Sequence, residues 1–258
     1  MQDLKVTLIQ ADLDWEKIEA NLEMFDASID AIAEPCDLIV LPEMFSTGFS
    51  MSAETLAEPM SGKAVTWMQA KAQASKTVIT GSLIIGQSDK FYNRLVWARP
   101  DGSLATYDKK HLFRYADEDS VYTAGGERIT MDLKGWRVRP FICYDLRFPI
   151  WCRNLDLAYD LALFVANWPA RRSAHWRKLL VARAIENQSY VIGVNRVGID
   201  GNGHAYDGAS AIINPLGEAV FEGTDKAITQ TATLSYRQLA DYRKAFPAWK
   251  DADSDLVI

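Results

Sequence analysis

Cys143 stands where a strand-like run, Arg137 to Ile142, breaks into Tyr144-Asp145-Leu146-Arg147-Phe148-Pro149. A thiol at a strand end that feeds a helix start is a candidate nucleophile. The amides of the next turn and the helix dipole favour negative charge, which lowers the thiol pKa. A buried apolar cysteine is the competing reading of a lone thiol. Glu43, in Leu41-Pro42-Glu43-Met44-Phe45, follows a short apolar strand and points to the strand-end crevice where α/β proteins place ligands. A carboxylate among Leu, Met and Phe is desolvated and suits proton shuttling; a helix cap or loop acid is its alternative. Lys109, in Tyr107-Asp108-Lys109-Lys110-His111-Leu112-Phe113, offers a fixed cation beside aromatics or else a solvated surface lysine. The acidic run Ala116-Asp117-Glu118-Asp119 reads by itself as a solvated loop.

In order along the chain, Leu-Pro-Glu, Lys-x-His-Leu-Phe and Ile-Cys-Tyr-Asp-Leu-Arg-Phe-Pro resemble the nitrilase superfamily of carbon–nitrogen hydrolases, which carries a Glu-Lys-Cys triad. Phe91-Tyr92-Asn93-Arg94, Ala166-Asn167-Trp168-Pro169, Ala182 to Asn187, Asn195-Arg196-Val197-Gly198 and Asn214-Pro215-Leu216-Gly217 extend the resemblance over nearly the whole chain. It implies Glu43 as general base, Lys109 as the triad lysine and Cys143 as nucleophile. Lys109 matches rather than Lys110 because it stands two residues before the histidine of His-Leu-Phe. The stretches His111 to Glu118 and Asn167 to Arg171 are similar to the omega-amidase branch, which acts on 2-oxoglutaramate and 2-oxosuccinamate. Glu118 then falls on the branch's second, structural glutamate, which holds the lysine and orients the substrate amide.

The implied chemistry is hydrolysis of a small primary amide through a cysteine thioester, with ammonia as the first product. Lys109 and the backbone N–H of Tyr144 would hold the oxyanion. A substrate carboxylate calls for a guanidinium, and Arg171, then Arg172, are the candidates. Phe113 and Trp168, with Phe45 and Phe148, would wall the pocket. An aliphatic amidase, an N-carbamoyl amino acid hydrolase or a nitrilase is the alternative enzyme, and a non-catalytic scaffold on the same fold is the alternative class. A papain-like site needs a histidine base, and His111, His175 and His204 sit in poor contexts for it. No cofactor is expected: Cys143 and Cys152 lack zinc-ligand spacing, Asp200-Gly201-Asn202-Gly203-His204 fails the calcium-loop pattern, and no Gly-rich nucleotide fingerprint follows a strand.

The elements that must position these residues alternate. Leu4 to Gln10, Asp37 to Leu41, Thr77 to Ile85, Tyr92 to Ala98 and Ser103 to Tyr107 read as strands, and Ile18 to Ile32 and Lys63 to Ser75 as helices. The second half repeats the rhythm with strands at Arg137 to Cys143, Asp160 to Ala166, Tyr190 to Val197, Ala209 to Ile213, Ala219 to Glu222 and Ala227 to Leu234. Ala174 to Ser189 reads as its long helix. This pattern is an α/β layered fold, and the resemblance implies a four-layer α-β-β-α sandwich. No linker divides the chain, so 1–258 is expected to be one domain. The aromatic tail 235–258 is expected to pack on the core or on a partner subunit.

With 48% apolar and 24% charged residues the composition is that of an ordinary globule. A net charge of −6 argues against a nucleic-acid partner. No apolar run is long enough for a bilayer, and no signal peptide is apparent. Three cysteines are too few and odd in number for a disulfide framework, which points to the cytoplasm. The expected partners are a small amide and water. The resemblance further implies a homodimer through helices near the site, around Trp151 and Ala174 to Ser189.

Overall fold

The structure is a computed structural model that describes residues 1–253; residues 254–258, the last of the aromatic tail, lie outside the described residues. The chain opens with β1 (Leu4–Gln10), α1 (Ile18–Asp30), β2 (Leu38–Val40), the single turn α2 (Ala53–Leu56) and α3 (Lys63–Ser75). β3 (Val78–Gln87), β4 (Lys90–Ala98) and β5 (Leu104–Asp108) follow as a meander, then α4 (Glu118–Val121), β6 (Met131–Leu133) and β7 (Trp136–Ile142). The second half continues through α5 (Pro149–Cys152), β8 (Leu161–Val165), α6 (Ser173–Asn187) and β9 (Tyr190–Val194). It ends with β10 (Val197–Ile199), β11 (Ala205–Asp207), β12 (Ala211–Ile213), β13 (Ala219–Glu222), β14 (Ile228–Leu234) and α7 (Tyr236–Ala245).

Two six-stranded mixed sheets result, ordered β14-β1-β2-β3-β4-β5 and β13-β12-β9-β8-β7-β6. Each has three parallel strands at its centre, β1-β2-β3 and β7-β8-β9. The alternation of side chains explains the layering. Leu4, Val6, Leu8, Leu38 and Val40 meet Leu161, Leu163, Val165, Tyr190 and Ile192 in one core between the sheets. Ile9 and Ile39 face outward to Phe25 and Met68 of α1 and α3, and Ala162, Phe164 and Val191 face Trp176 and Leu180 of α6. A slip of one residue in β1 would turn Lys5 into the central core, so the register is fixed by burial. Close packing of α6 needs Gly193, where a Cβ would stand 2.5 Å from Leu180. The architecture is the four-layer α-β-β-α sandwich.

Two boundaries depart from expectation. Tyr190 to Val197 is not one strand: Asn195 and Arg196 leave the sheet, and β10 pairs with β11 in a separate hairpin. Asn195 is buried and bonded to Trp168 and Gly208, which ends β9 at the site rather than carrying it through. The helix expected after Cys143 is only a 3-10 turn, Cys143–Arg147, before the single-turn α5. The tail, as far as it is described, packs on its own subunit: Tyr236 stands edge-on to Trp136 at 5.3 Å, and Arg243 pairs with Asp160 at 2.6 Å. Among the described residues no helix is long and apolar enough to cross a membrane.

Candidate active site

Five segments converge where strands of the two sheets end. Glu43 follows β2 and Lys109 follows β5 on one sheet; Cys143 follows β7 and Asn167 follows β8 on the other. Glu118 comes from α4, brought in by the loop after Lys109. Backbone in the left-handed region marks these turns: φ is +42° at Met44, +55° at Asp117 and +44° at Cys143. For non-glycine residues such angles are strained and persist only where the surroundings hold them. At Cys143 the hold is Asp145, fully buried. Its carboxylate accepts from Ile142 N at 3.0 Å, Tyr107 Oη at 2.6 Å and His111 N at 2.9 Å. Asp145 therefore ties the cysteine turn to the loop that carries Lys109.

Glu43, Lys109 and Glu118 form one dry cluster. The Lys109 ammonium donates to Glu43 Oε1 and to both oxygens of Glu118, each at 2.9 Å. Asn93 Nδ2 donates to Glu43 Oε1 at 2.8 Å and reaches Glu118 Oε1 at 3.3 Å. The other Glu43 oxygen accepts the backbone N–H of Asn167 at 2.7 Å, and Phe113 N donates to Glu118 at 2.5 Å. The side chains of Glu43, Lys109 and Glu118 have no exposed surface, and the Phe49 ring lies 5.1 Å from the ammonium. Two of the three Lys109 bonds go to the same carboxylate, so one N–H can turn to a substrate oxygen without leaving Glu118 unpaired. The N–H of Tyr144, in the first turn after Cys143, has no acceptor within that turn, as for any helix start.

The charges in this cluster are set by burial and by one another. Burial works against a charged Lys109, but Glu118 and Glu43 outweigh it and hold the ammonium above its ordinary pKa. Burial pushes Glu118 up, with Glu43 adding to it, against the pull of Lys109. The Cys143 thiol is pushed well above its usual value, first by burial and then by the Glu43 carboxylate, with Lys109 opposing. This corrects the expectation of a thiol lowered by a helix start. The one-turn element supplies little dipole, and a carboxylate faces the sulfur. A thiol held high in this way is activated by passing its proton to a neighbouring base.

A cavity of about 250 Å³ opens over Cys143. Lys109, Phe113, Tyr144, Trp168 and Arg171 line it as expected, together with Arg172 and Arg147. Arg171 lies at the exposed rim, whereas Arg172 is half-buried and stacks over Phe113 at 5.1 Å. Phe148 packs on His111 at 3.8 Å and Phe45 sits in the core against Phe25, so neither walls the cavity. Residues not anticipated are Asn93, Asp145, Phe49 and the β10–β11 hairpin, which brings Asp200, Asn202, His204 and Tyr206 to the opening. Gly201 of that hairpin lies under Trp15, where a Cβ would stand 2.3 Å from the indole. Asn93 stood in a stretch that drew notice, Phe91-Tyr92-Asn93-Arg94. In the hairpin, Asp200 to His204 fail the calcium-loop pattern and His204 is a poor candidate base, so nothing local marks it as lining the cavity. Among the described residues no group of three or more His, Cys, Asp or Glu side chains is arranged to hold a metal.

Comparison with known proteins matches this architecture. The family model described as Carbon-nitrogen hydrolase covers residues 5–244. Omega-amidase YafV of Escherichia coli is 50% identical over 256 residues, 98% of each chain. A 2-oxoglutaramate amidase of Bacillus subtilis is 31% identical, covering 97% of this chain and 98% of its own. A CN-hydrolase superfamily protein from Xanthomonas campestris, crystallised with an arsenic adduct in its active site, superposes with a TM-score of 0.96 at 44% identity over 98% of both chains. With the family match spanning most of the chain and these relatives aligned nearly end to end, the protein belongs to the carbon-nitrogen hydrolase family of the nitrilase superfamily.

Proposed function

We propose that this protein is an omega-amidase that hydrolyses the terminal amide of 2-oxoglutaramate and 2-oxosuccinamate, releasing ammonia. The observation that carries the reading is the solvent-free Glu43–Lys109–Glu118 cluster closing on Cys143 at the base of an arginine-lined cavity. The names of the relatives, omega-amidase and 2-oxoglutaramate amidase, support the substrate class.

In this reading Glu43 takes the thiol proton as sulfur attacks the amide carbon, so thiolate forms only with substrate in place. The oxyanion is held by Lys109 and the N–H of Tyr144; losing one such donor costs on the order of 100- to 1000-fold in rate. Glu43 returns the proton to nitrogen as the C–N bond breaks, and ammonia leaves. Glu43 then takes a proton from water, whose oxygen attacks the thioester carbon. The C–S bond breaks, the acid departs, and the proton returns to sulfur. Glu118 and Asn93 keep Lys109 and Glu43 in register throughout.

The test is ammonia release from 2-oxoglutaramate by the purified protein, with glutamine as a competing amide. Release is the expected outcome, with glutamine far poorer. No release would move the substrate to a simple aliphatic amide, a carbamoyl amino acid or a nitrile.

The reading extends to a homodimer in a reducing compartment, the cytoplasm. Ile185 of α6, beside the turn at Gly217, and Leu216 and Val220 leave large apolar side chains about half exposed, and the three cysteines are unpaired. Static light scattering is expected to give twice the 28.9 kDa chain mass; a monomer across micromolar concentrations would refute it.

A further inference from the structure

The two groups that would hold the oxyanion come from different sheets. Lys109 follows β5 in one, and Tyr144 follows Cys143 at the end of β7 in the other. Among the described residues no strand ladder joins these sheets, so side chains must set the distance between the two donors. Asp145, the residue after Tyr144, is where the two segments meet. It is fully buried, and its bonds are divided by oxygen. Oδ2 accepts Ile142 N at 3.0 Å and Tyr107 Oη at 2.6 Å. Oδ1 takes both of its bonds from His111, the backbone N–H at 2.9 Å and ring Nδ1 at 2.8 Å. Tyr107 and His111 stand two residues before and two residues after Lys109, so one carboxylate grips the lysine segment on both sides of the ammonium.

The hydrogens on this carboxylate follow from its neighbours. Trp151 Nε1 donates to Tyr107 Oη at 2.9 Å, which leaves the tyrosine's own hydrogen for Asp145. Burial, with Asp145 adding to it, holds that phenol well above its usual pKa. Oδ1 already accepts the His111 backbone N–H, so the ring is assigned as a second donor to it, with its hydrogen on Nδ1. The ring is held in that pose. It stacks on Phe148 at 3.8 Å with the planes 9° apart, and meets Trp151 edge-on at 6.0 Å. Phe148 and Trp151 lie just beyond the cysteine turn, so the imidazole is clasped by the same segment that its N–H bonds. Among the described residues Asp145 pairs with no lysine or arginine, and the His111 side chain, 23% exposed, is its one partner that can carry positive charge.

We propose that His111 is a positioning residue of the oxyanion hole: through Asp145 it fixes the distance between the Lys109 ammonium and the Tyr144 N–H. The assignment rests on the amidase reading above and deepens it, since the same spacing serves any amide that Cys143 attacks. Donors aimed where charge develops are effective because they do not reorganise during the reaction. The ring supplies the one donor on Oδ1 that is not backbone. Its loss leaves a buried acceptor short of a bond, and the lysine segment and the cysteine turn lose a shared anchor.

The experiment compares His111→Phe, His111→Ala and His111→Asn on 2-oxoglutaramate and on uncharged pentanamide, beside the rate at which iodoacetamide alkylates Cys143. His111→Phe keeps a ring against Phe148 without an N–H, and His111→Ala lacks both. His111→Asn keeps a donor near the place of Nδ1 without the ring. In His111→Phe kcat is expected to fall roughly 10- to 100-fold on either amide, the scale of a misplacement of about 1 Å, with KM within about threefold of the parent. His111→Ala should show the same loss, which keeps the test open if the bulkier ring prevents folding. His111→Asn should recover most of the rate. Alkylation builds no oxyanion, so its rate should change by less than about twofold in each variant. His111→Asn as slow as His111→Phe, kcat unchanged in His111→Phe and His111→Ala, or alkylation that falls with turnover would each overturn the assignment. If the parent protein cleaves pentanamide but not 2-oxoglutaramate, and His111→Phe is slow on it while His111→Asn is not, the substrate reading falls and the positioning role stands. If 2-oxoglutaramate is cleaved and no His111 variant loses turnover, the positioning role falls and the substrate reading stands.

Discussion

Cys143→Ala is expected to lose amide hydrolysis by on the order of 10,000- to 1,000,000-fold, the scale of removing a covalent nucleophile, while remaining folded. The stability half of this expectation follows from the contacts. Glu43 keeps Lys109, Asn93 and the Asn167 amide after the thiol is gone, so no buried carboxylate is left unpartnered. Alanine keeps a Cβ, so the strained φ of +44° is neither relieved nor worsened. Unfolding free energy should change by less than about 1 kcal/mol, checked by a urea melt beside the ammonia assay. The same thiol gives an independent readout. Iodoacetamide should modify Cys143, which lines the cavity, and spare Cys36 and Cys152, which are buried and pushed up by burial. Because burial and Glu43 hold the Cys143 thiol high, its labelling rate should still be climbing above pH 8. A plateau below pH 7 would mean a thiolate formed in advance, and the concerted role given to Glu43 would be wrong.

Lys109→Met is expected to be both inactive and substantially less stable. Among the described residues the ammonium is the one cation bonded to Glu43 and Glu118, and neither carboxylate has exposed surface. Removing one partner of a buried pair leaves uncompensated charge, typically about 3–5 kcal/mol. The pH dependence has a definite sign. Burial and Glu43 already push Glu118 up, and Lys109 is what opposes them. Without the lysine, Glu118 rises further above its unfolded value and binds a proton more readily when folded. The deficit relative to the parent should then be smallest near pH 4 and grow as pH rises toward 7. Adding Glu118→Gln to Lys109→Met should recover part of the stability at neutral pH and none of the activity. Urea midpoints at the two pH values decide it; a deficit that does not change with pH would mean that lost packing, not unpaired charge, dominates.

Much of this molecule was legible from the chain. Lys63 to Ser75 has the observed bounds of α3, and the strands β1, β7 and β8 were foreseen to within two residues. Their apolar periodicity is set by burial, and burial is written locally in residue type. Glu43, Lys109 and Cys143 were marked by their positions at strand ends, and their identities resembled one family strongly enough to bring Glu118 in from an otherwise ordinary acidic loop. Compositional and motif signals of that kind survive without coordinates because the chemistry requires particular side chains.

The tertiary structure decided whatever depends on which distant groups meet. The direction in which the Cys143 thiol is shifted was not legible in the sequence, because the local cue was a helix start. The deciding facts were enclosure and a carboxylate 100 positions away. Which of Arg171 and Arg172 is half-buried was equally hidden, since adjacent residues differ in which one stacks on Phe113 and which on the exposed Tyr115. Asn93 and Asp145 hold the site through hydrogen bonds spanning 25 to 50 residues, and the β10–β11 hairpin lies with Gly201 packed so closely beneath Trp15 that a Cβ would not fit. Element type and residue chemistry are local properties of the chain; protonation, charge selection and access come from the low-dielectric enclosure that the two packed sheets create between their strand ends.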